Sequence, residues 1–199
     1  MIPLSYAQRR IWFLDQFEGP SAAYNIAVSL RLTGEVDVAA LRAALADVVE
    51  RHESLRTVIE MQDGEPGQRI LEDVRPDLLT VTVAEDQISE ETSKAAGYCF
   101  DLAAEIPIRV SLLTVAPDSH VLLIVLHHIA ADGWSMAPLL RDLSTAYADR
   151  HNGSAPVYPE LPGQYADFAV WQREVLGSED DPGSVVSEQL AYWRGVLEG

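Results

Sequence analysis

The chain has a single cysteine, Cys99, a single lysine, Lys94, and no apolar run longer than the six residues Val121 to Leu126. One cysteine can form neither an internal disulfide nor a thiolate metal cluster, so disulfide scaffolds and zinc ribbons are excluded and a reducing compartment is compatible. The apolar run is far short of the roughly 20 residues that cross a bilayer as a helix. The N-terminus lacks a charged region followed by an apolar core, so no signal peptide is expected and the expected location is the cytoplasm. Basic residues are scarce: 14 Lys and Arg against 31 Asp and Glu give a net charge of −17, which repels a phosphate backbone. Neither nucleic acid nor a membrane is an expected partner.

What the 199 residues do have is 48% apolar and 23% charged content, an ordinary globular balance. Ser5-Tyr6-Ala7-Gln8 has the form of a capping box opening a helix to about Phe17, with Ala7, Ile11 and Leu14 inward. After a turn at Gly19-Pro20, Ala27 to Thr33 alternates as a half-buried strand. Asp37 is the N-cap expected for a second helix bearing Leu41, Leu45, Val48 and His52. Leu55 to Met61 predicts a strand, joined through Asp63-Gly64 to another at Gln68 to Leu71. Ser89 with Glu90 and Glu91 predicts a short helix reaching about Cys99. Ile106 to Leu112 alternates, a turn at Ala116 to Ser119 follows, and Val121 to Leu126 is apolar on both faces, as a central covered strand requires. A helix opening at Asp132-Gly133 presents Met136, Leu139, Leu140, Leu143 and Tyr147 and closes at Asn152-Gly153. After a proline-rich loop, two helices carry Tyr165, Phe168 and Trp171, then Val186, Leu190, Trp193 and Leu197. Trp12 and the aromatics of the first of these helices are expected in the core. Strands and helices without a βαβ rhythm predict the α+β class, a two-layer sandwich of mainly antiparallel sheet with packed helices.

The chemistry concentrates in His127-His128-Ile129-Ala130-Ala131-Asp132-Gly133-Trp134-Ser135, at the mouth of the buried strand. Successive strand residues point to opposite faces, so His127 and His128 cannot both enter one cavity. A second reading makes both of them structural histidines beside an N-capped turn; a two-histidine metal site is opposed by the diverging faces and the lack of a third ligand at sensible spacing.

The segment from His127 to Gly133 resembles the HHxxxDG signature of nonribosomal peptide synthetase condensation domains. Three further stretches match the same family in order: Ser5 to Leu14, Arg51-His52-Glu53-Ser54-Leu55-Arg56-Thr57, and Tyr165-Ala166-Asp167-Phe168-Ala169-Val170-Trp171. The resemblance implies a chloramphenicol acetyltransferase-like lobe. It also implies a reaction, attack by an aminoacyl amine on a donor acyl or peptidyl thioester to give an amide. No cofactor would be bound directly; substrates would ride on the phosphopantetheine arms of donor and acceptor carrier proteins, with an adjacent C-terminal lobe and synthetase modules as further partners. Family members are about twice as long and carry later motifs missing here, so residues 1–199 read as the N-terminal, donor-side lobe with the C-terminal lobe absent. The start at Met1-Ile2-Pro3 and the end just after Tyr192-Trp193 suggest a piece of a longer chain.

By motif position His128 faces the reaction channel and His127 holds the backbone or a neighbouring strand. His128 would orient the amine and take a proton late, or act as a general base; an α-amine of pKa about 7.7 does not oblige a strong one. Asp132 would be structural, held by a buried arginine, with Arg56 the candidate partner and Arg51 placed only to neutralise a helix end. Gly133 would let the chain pass close to substrate, its amide facing a developing oxyanion. Trp134 and Ser135 support the turn, and Tyr6, Arg9 and Arg10 are candidates for the channel mouth or for an acidic carrier. The run His128-Ile129-Ala130-Ala131-Asp132-Gly133 together with the Ala22-Ala23-Tyr24-Asn25-Ile26 stretch resembles members that join two L-configured units. Two other readings stay open: a carrier-docking lobe without turnover, and a stand-alone trimeric acyltransferase. The trimeric enzymes carry their histidine motif near the C-terminus, whereas here residues 134–199 follow it.

Overall fold

The computed structural model describes residues 1–19 and 21–198; Pro20, in the expected Gly19-Pro20 turn, lies outside them. The elements are β1 (Ile2–Pro3), α1 (Tyr6–Glu18), β2 (Asn25–Thr33), α2 (Val38–Arg51), β3 (Thr57–Gln62), β4 (Glu65–Ile70), β5 (Leu78–Thr82), α3 (Ile88–Ala96), β6 (Ile108–Ala116), β7 (Ser119–His127), α4 (Met136–His151), α5 (Tyr165–Leu176) and α6 (Val185–Leu197). Two sheets form: β1-β4-β3, and a larger one of order β2-β7-β6-β5 in which only the β5–β6 pair is parallel. The class is α+β, mainly antiparallel.

β7 is central and buried along nearly its whole length. Its even residues Leu122, Ile124 and Leu126 join a core with Leu41, Leu45 and Val48 of α2 and Leu139, Leu143 and Ala146 of α4. Its odd residues face the other way. Val125 packs with Trp12, Phe100 and Ile129, while Val121 and Leu123 pack with Leu113 and Val83. Helices thus cover both faces of this sheet.

Local signals account for most boundaries. The Ser5–Gln8 capping box forms, Asp37 accepts the Ala40 amide at the start of α2, and Asp63 and Gly64, both with positive φ, make the tight β3–β4 turn. Elsewhere the structure corrects the expectation. On α1 the buried residues are Gln8 and Trp12, whereas Ala7 is exposed and Ile11 and Leu14 only half-buried. Gln8 turns inward because it is fully used: Oε1 accepts the Ser5 amide, and Nε2 donates to Gln68, which donates to Pro3 O.

Glu53–Arg56 is a one-turn 3-10 helix ahead of β3, so Leu55 and Arg56 precede the strand. β5 was not expected. α3 starts at Ile88 after another 3-10 turn, with Ser89 inside it, and ends at Ala96. α4 begins at Met136, three residues later than Asp132-Gly133 predicts. Of the aromatics expected in the core, Trp12 is buried and Tyr165 half-buried, but Phe168 and Trp171 are exposed; α5 buries only Ala166 and Ala169, and α6 buries nothing. The apolar face shared by these two helices has no covering element among the described residues.

Candidate functional site

His127 is the last residue of β7 and His128 the first beyond it. Pleating sends them apart: His127 is 1% exposed, His128 lies open to solvent. The backbone around them is tightly held. His127 N donates to Pro107 O at 3.0 Å, His128 N to Tyr24 O at 2.8 Å, and Ala130 N to His127 O at 3.0 Å. The His127 ring accepts the Ile129 amide at Nδ1, 3.2 Å away, and sits between Tyr24 and the edge of Phe100, with centroids at 6.3 and 5.9 Å. Burial, reinforced by the neighbouring His128, lowers its pKa to about 4. The ring is therefore neutral near pH 7, and because Nδ1 accepts, its proton is on Nε2.

Asp132 is exposed and is satisfied within its own turn. Its Oδ1 accepts from Ser135 N at 3.0 Å and Ser135 Oγ at 2.8 Å, while its amide donates to Ser135 Oγ at 3.0 Å. The Ser135 hydrogen bonds hold the carboxyl below the usual carboxylate range, with His128 adding a smaller pull. Gly133 is exposed, with open space where a Cβ would project, and Trp134 is 90% exposed. Because α4 starts at Met136 with Ser135 as its N-cap, the Gly133 amide lies in the preceding turn and not in the helix N-terminus.

The expected Arg56–Asp132 pair does not form. Arg56 closes the 3-10 turn, and its guanidinium folds back to Leu71 O at 2.7 Å and Glu50 O at 3.3 Å, near Glu53. Two other arginines meet the buried Asp142: Arg51 Nε donates to Oδ2 at 2.9 Å, and Arg141 Nε reaches Oδ1 at 3.3 Å. His52 Nε2 reaches Oδ2 at 3.0 Å. Burial works to raise the Asp142 pKa, but the hydrogen bonds from Arg51 and His52 outweigh it and the carboxyl is held low. Burial lowers the His52 pKa despite this aspartate, so His52 donates as a neutral ring. Tyr158 lies under the Arg51 guanidinium at 4.4 Å, and Gln164 ties Arg51 O to the Glu53 amide. Asp142 was legible as a signal: it stands on the inward stripe Leu139, Leu143, Ala146, where a carboxylate needs a partner. His52, Ser54, Leu55, Ala130, Ser135, Pro138 and Leu139 line a small recess behind the motif turn.

Tyr6, Arg9 and Arg10 do not join this group. The Tyr6 hydroxyl donates to Gly177 O at 3.0 Å and its ring carries the Arg173 guanidinium at 3.9 Å. Arg9 lies 3.9 Å from Glu65 and Arg10 is exposed. Tyr6 and Arg9 line a separate cleft with Arg173 and Ser178, and no hydrogen bond or ion pair links any of the three to residues 127–135 among the described residues. The described residues contain no cluster of three metal-ligating side chains, and no helix long and apolar enough to cross a membrane. What the site offers chemically is one open imidazole on a rigid strand end, beside a self-satisfied turn with a free glycine.

The family model for the condensation domain matches residues 1–199. The probable non-canonical nonribosomal peptide synthetase CymA of Salinispora arenicola is 56% identical over 198 residues, covering 98% of this chain and 2% of that protein. The isonitrile lipopeptide synthase of Mycobacterium tuberculosis is 53% identical over 203 residues, covering 100% of this chain and 8% of that protein. Among solved structures, the X-domain from teicoplanin biosynthesis in complex with OxyB superposes with a TM-score of 0.90 at 36% identity, covering 100% of this chain and 43% of the other. The chain thus spans a small fraction of these synthetases and under half of that solved chain.

Proposed function

The chain belongs to the condensation-domain family, and on that premise we propose that it is the N-terminal, donor-side catalytic lobe of a nonribosomal peptide synthetase condensation domain. The observation that carries this reading is the split between the two motif histidines: His127 neutral and caged, His128 open on a strand end held by three backbone hydrogen bonds. In this reading the acceptor α-amine attacks the donor thioester carbonyl. A C–N bond forms, the C–S bond breaks, and the amine proton passes through His128 to the departing thiolate. An α-amine of pKa about 7.7 is partly neutral already, so the chief work of His128 is to orient it and to take its proton from the tetrahedral intermediate.

Asp132 keeps the turn in shape through Ser135, and exposed Gly133 in that turn would offer its N–H to a developing oxyanion. Both substrates ride on phosphopantetheine arms of carrier proteins, the C-terminal lobe supplies the opposite wall, and the isolated chain does not turn over. The test is amide formation between loaded donor and acceptor carriers in an assembly holding the complete domain. His128→Ala should lower turnover by about 10²-fold or more while carrier binding persists. Unchanged turnover overturns the catalytic role.

The likeness to an X-domain solved in complex with OxyB supports a second reading, a lobe that docks a partner without chemistry. Partner binding without amide formation by the unaltered assembly would favour it.

A further inference from the structure

The segment 97–105, between α3 and β6, forms neither helix nor strand, yet it is pinned at three points. Tyr98 O accepts the Asn25 side-chain amide at 2.7 Å, the Asp101 amide donates to Glu105 Oε1 at 2.8 Å, and Leu102 O accepts the Ile59 amide of β3 at 2.8 Å. Between these ties the chain sends Phe100 into the core, 2% exposed, beside Trp12, Val125 and Ile129. The Phe100 ring meets the His127 ring edge-on, with centroids 5.9 Å apart and planes at 72°. Tyr98 meets Phe100 in the same way at 5.1 Å and 84°. Both lie in the range where aromatic pairs gain energy beyond the area they bury. Tyr98 is itself clamped. Its hydroxyl proton is shared by the two Glu105 carboxylate oxygens, each at 2.9 Å, and the Arg109 guanidinium lies over its ring at 3.9 Å and 3.6 Å from Glu105.

His127 needs such a wall. Among the described residues its ring has one hydrogen bond, the Ile129 amide donating to Nδ1 at 3.2 Å. A bond of modest net worth does not by itself fix the plane of a ring. We propose that Phe100 is a positioning residue for the histidine pair: Glu105 and Arg109 fix Tyr98, Tyr98 fixes Phe100, and Phe100 fixes the plane of His127, whose turn presents His128. Phe100 is buried, so it acts on the reaction only through His127. Its effect on turnover rests on the catalytic reading above; the packing of 98, 100 and 127 does not.

The experiment is nitrogen-15 NMR of the five imidazole rings in the 199-residue chain, followed through a pH titration. A residue that merely fills the core would cost Tm without singling out one histidine. In Phe100→Leu the His127 signals should move, and its pKa should rise from about 4 as water reaches the ring, while His120 and His151 stay unmoved. Tyr98→Leu, at a half-buried position with no ring contact to His127, should move the same signals and carries the test if Phe100→Leu fails to fold. Tyr98→Phe keeps the edge contact and the Arg109 stack, so it should move them clearly less. In an assembly holding the complete domain, Phe100→Leu should lower kcat for amide formation about tenfold and leave KM for the loaded carriers within about twofold. His127 signals that stay put in the Leu variants, or that move only together with those of His120 and His151, overturn the proposal. So does an unchanged kcat in a variant whose His127 has moved. Unchanged turnover in His128→Ala would instead overturn the catalytic reading, with the NMR outcome still deciding the packing chain.

Discussion

Arg51 and Asp142 face each other across the α2–α4 contact at 2.9 Å, with side chains 13% and 6% exposed. The pair joins the helix that precedes the 3-10 turn to the helix that follows the histidine motif, and Arg150 repeats the link further along α4 with a two-pronged contact to Asp47.

Removing one partner of a buried pair leaves the other charge uncompensated. Asp142→Ala should therefore cost about 3 kcal/mol, which lowers Tm by roughly 6–12 °C in a domain of this size. Thermal unfolding followed by circular dichroism checks it; a shift no larger than that of an ordinary surface substitution would show Arg51 to be well solvated without Asp142.

The Asp132–Ser135 turn predicts coupling at one pair and none at another. Asp132→Ala and Ser135→Ala should each cost about 1 kcal/mol, and the double variant clearly less than their sum. Asp132→Ala combined with Arg56→Ala should be additive within about 0.5 kcal/mol, since the two side chains have separate partners. Coupling of Asp132 to Arg56 in a double-mutant cycle would restore the pairing that the motif resemblance suggested.

Buried His127 and half-buried His52 predict acid sensitivity above the carboxylate range. His127 has a folded pKa of about 4 against an ordinary 6.5, so the unfolded chain binds the extra proton between those values. Stability from this group is complete above pH 6.5 and falls progressively as pH drops toward 4, by at most about 3 kcal/mol. His52, also lowered by burial, adds in the same direction. Denaturant unfolding at a series of pH values tests this; a flat stability between pH 6.5 and 4.5 would contradict it. His128→Ala, at an exposed position, should change stability by no more than about 0.5 kcal/mol.

Gln8 predicts a cost that its place on a helix surface pattern would not. Gln8→Met keeps the volume but deprives the Ser5 amide and Gln68 of their partner, and should cost about 1–3 kcal/mol. Chemical denaturation measures it, and a neutral outcome would mean that Gln68 re-pairs.

Much of this architecture is legible in residue patterns because the patterns are local. Strand alternation separates His127 from His128, and capping residues mark Ser5 and Asp37. What was not legible depends on partners distant in sequence. Arg51 and Arg56 look alike within their motif; only the 3-10 turn between them decides that one meets α4 and the other Leu71 O. Asp132 finds its partner three residues away in Ser135, which removes the need for an arginine. Phe168 and Trp171 read as core at helical spacing, but spacing says which residues share a face, not whether anything covers it. β5, short and alternating weakly, exists because β6 offers a parallel edge.

The order β2-β7-β6-β5 places the last strand made in the middle of the sheet. During synthesis β2 is complete at Thr33, yet its only strand partner among the described residues begins at Ser119, so it waits unpaired while residues 34–118 emerge. Closing so distant a pair is slow, and the waiting edge is open to misassociation. The histidines stand at the end of that late strand, so the candidate site takes shape together with the central strand of the core.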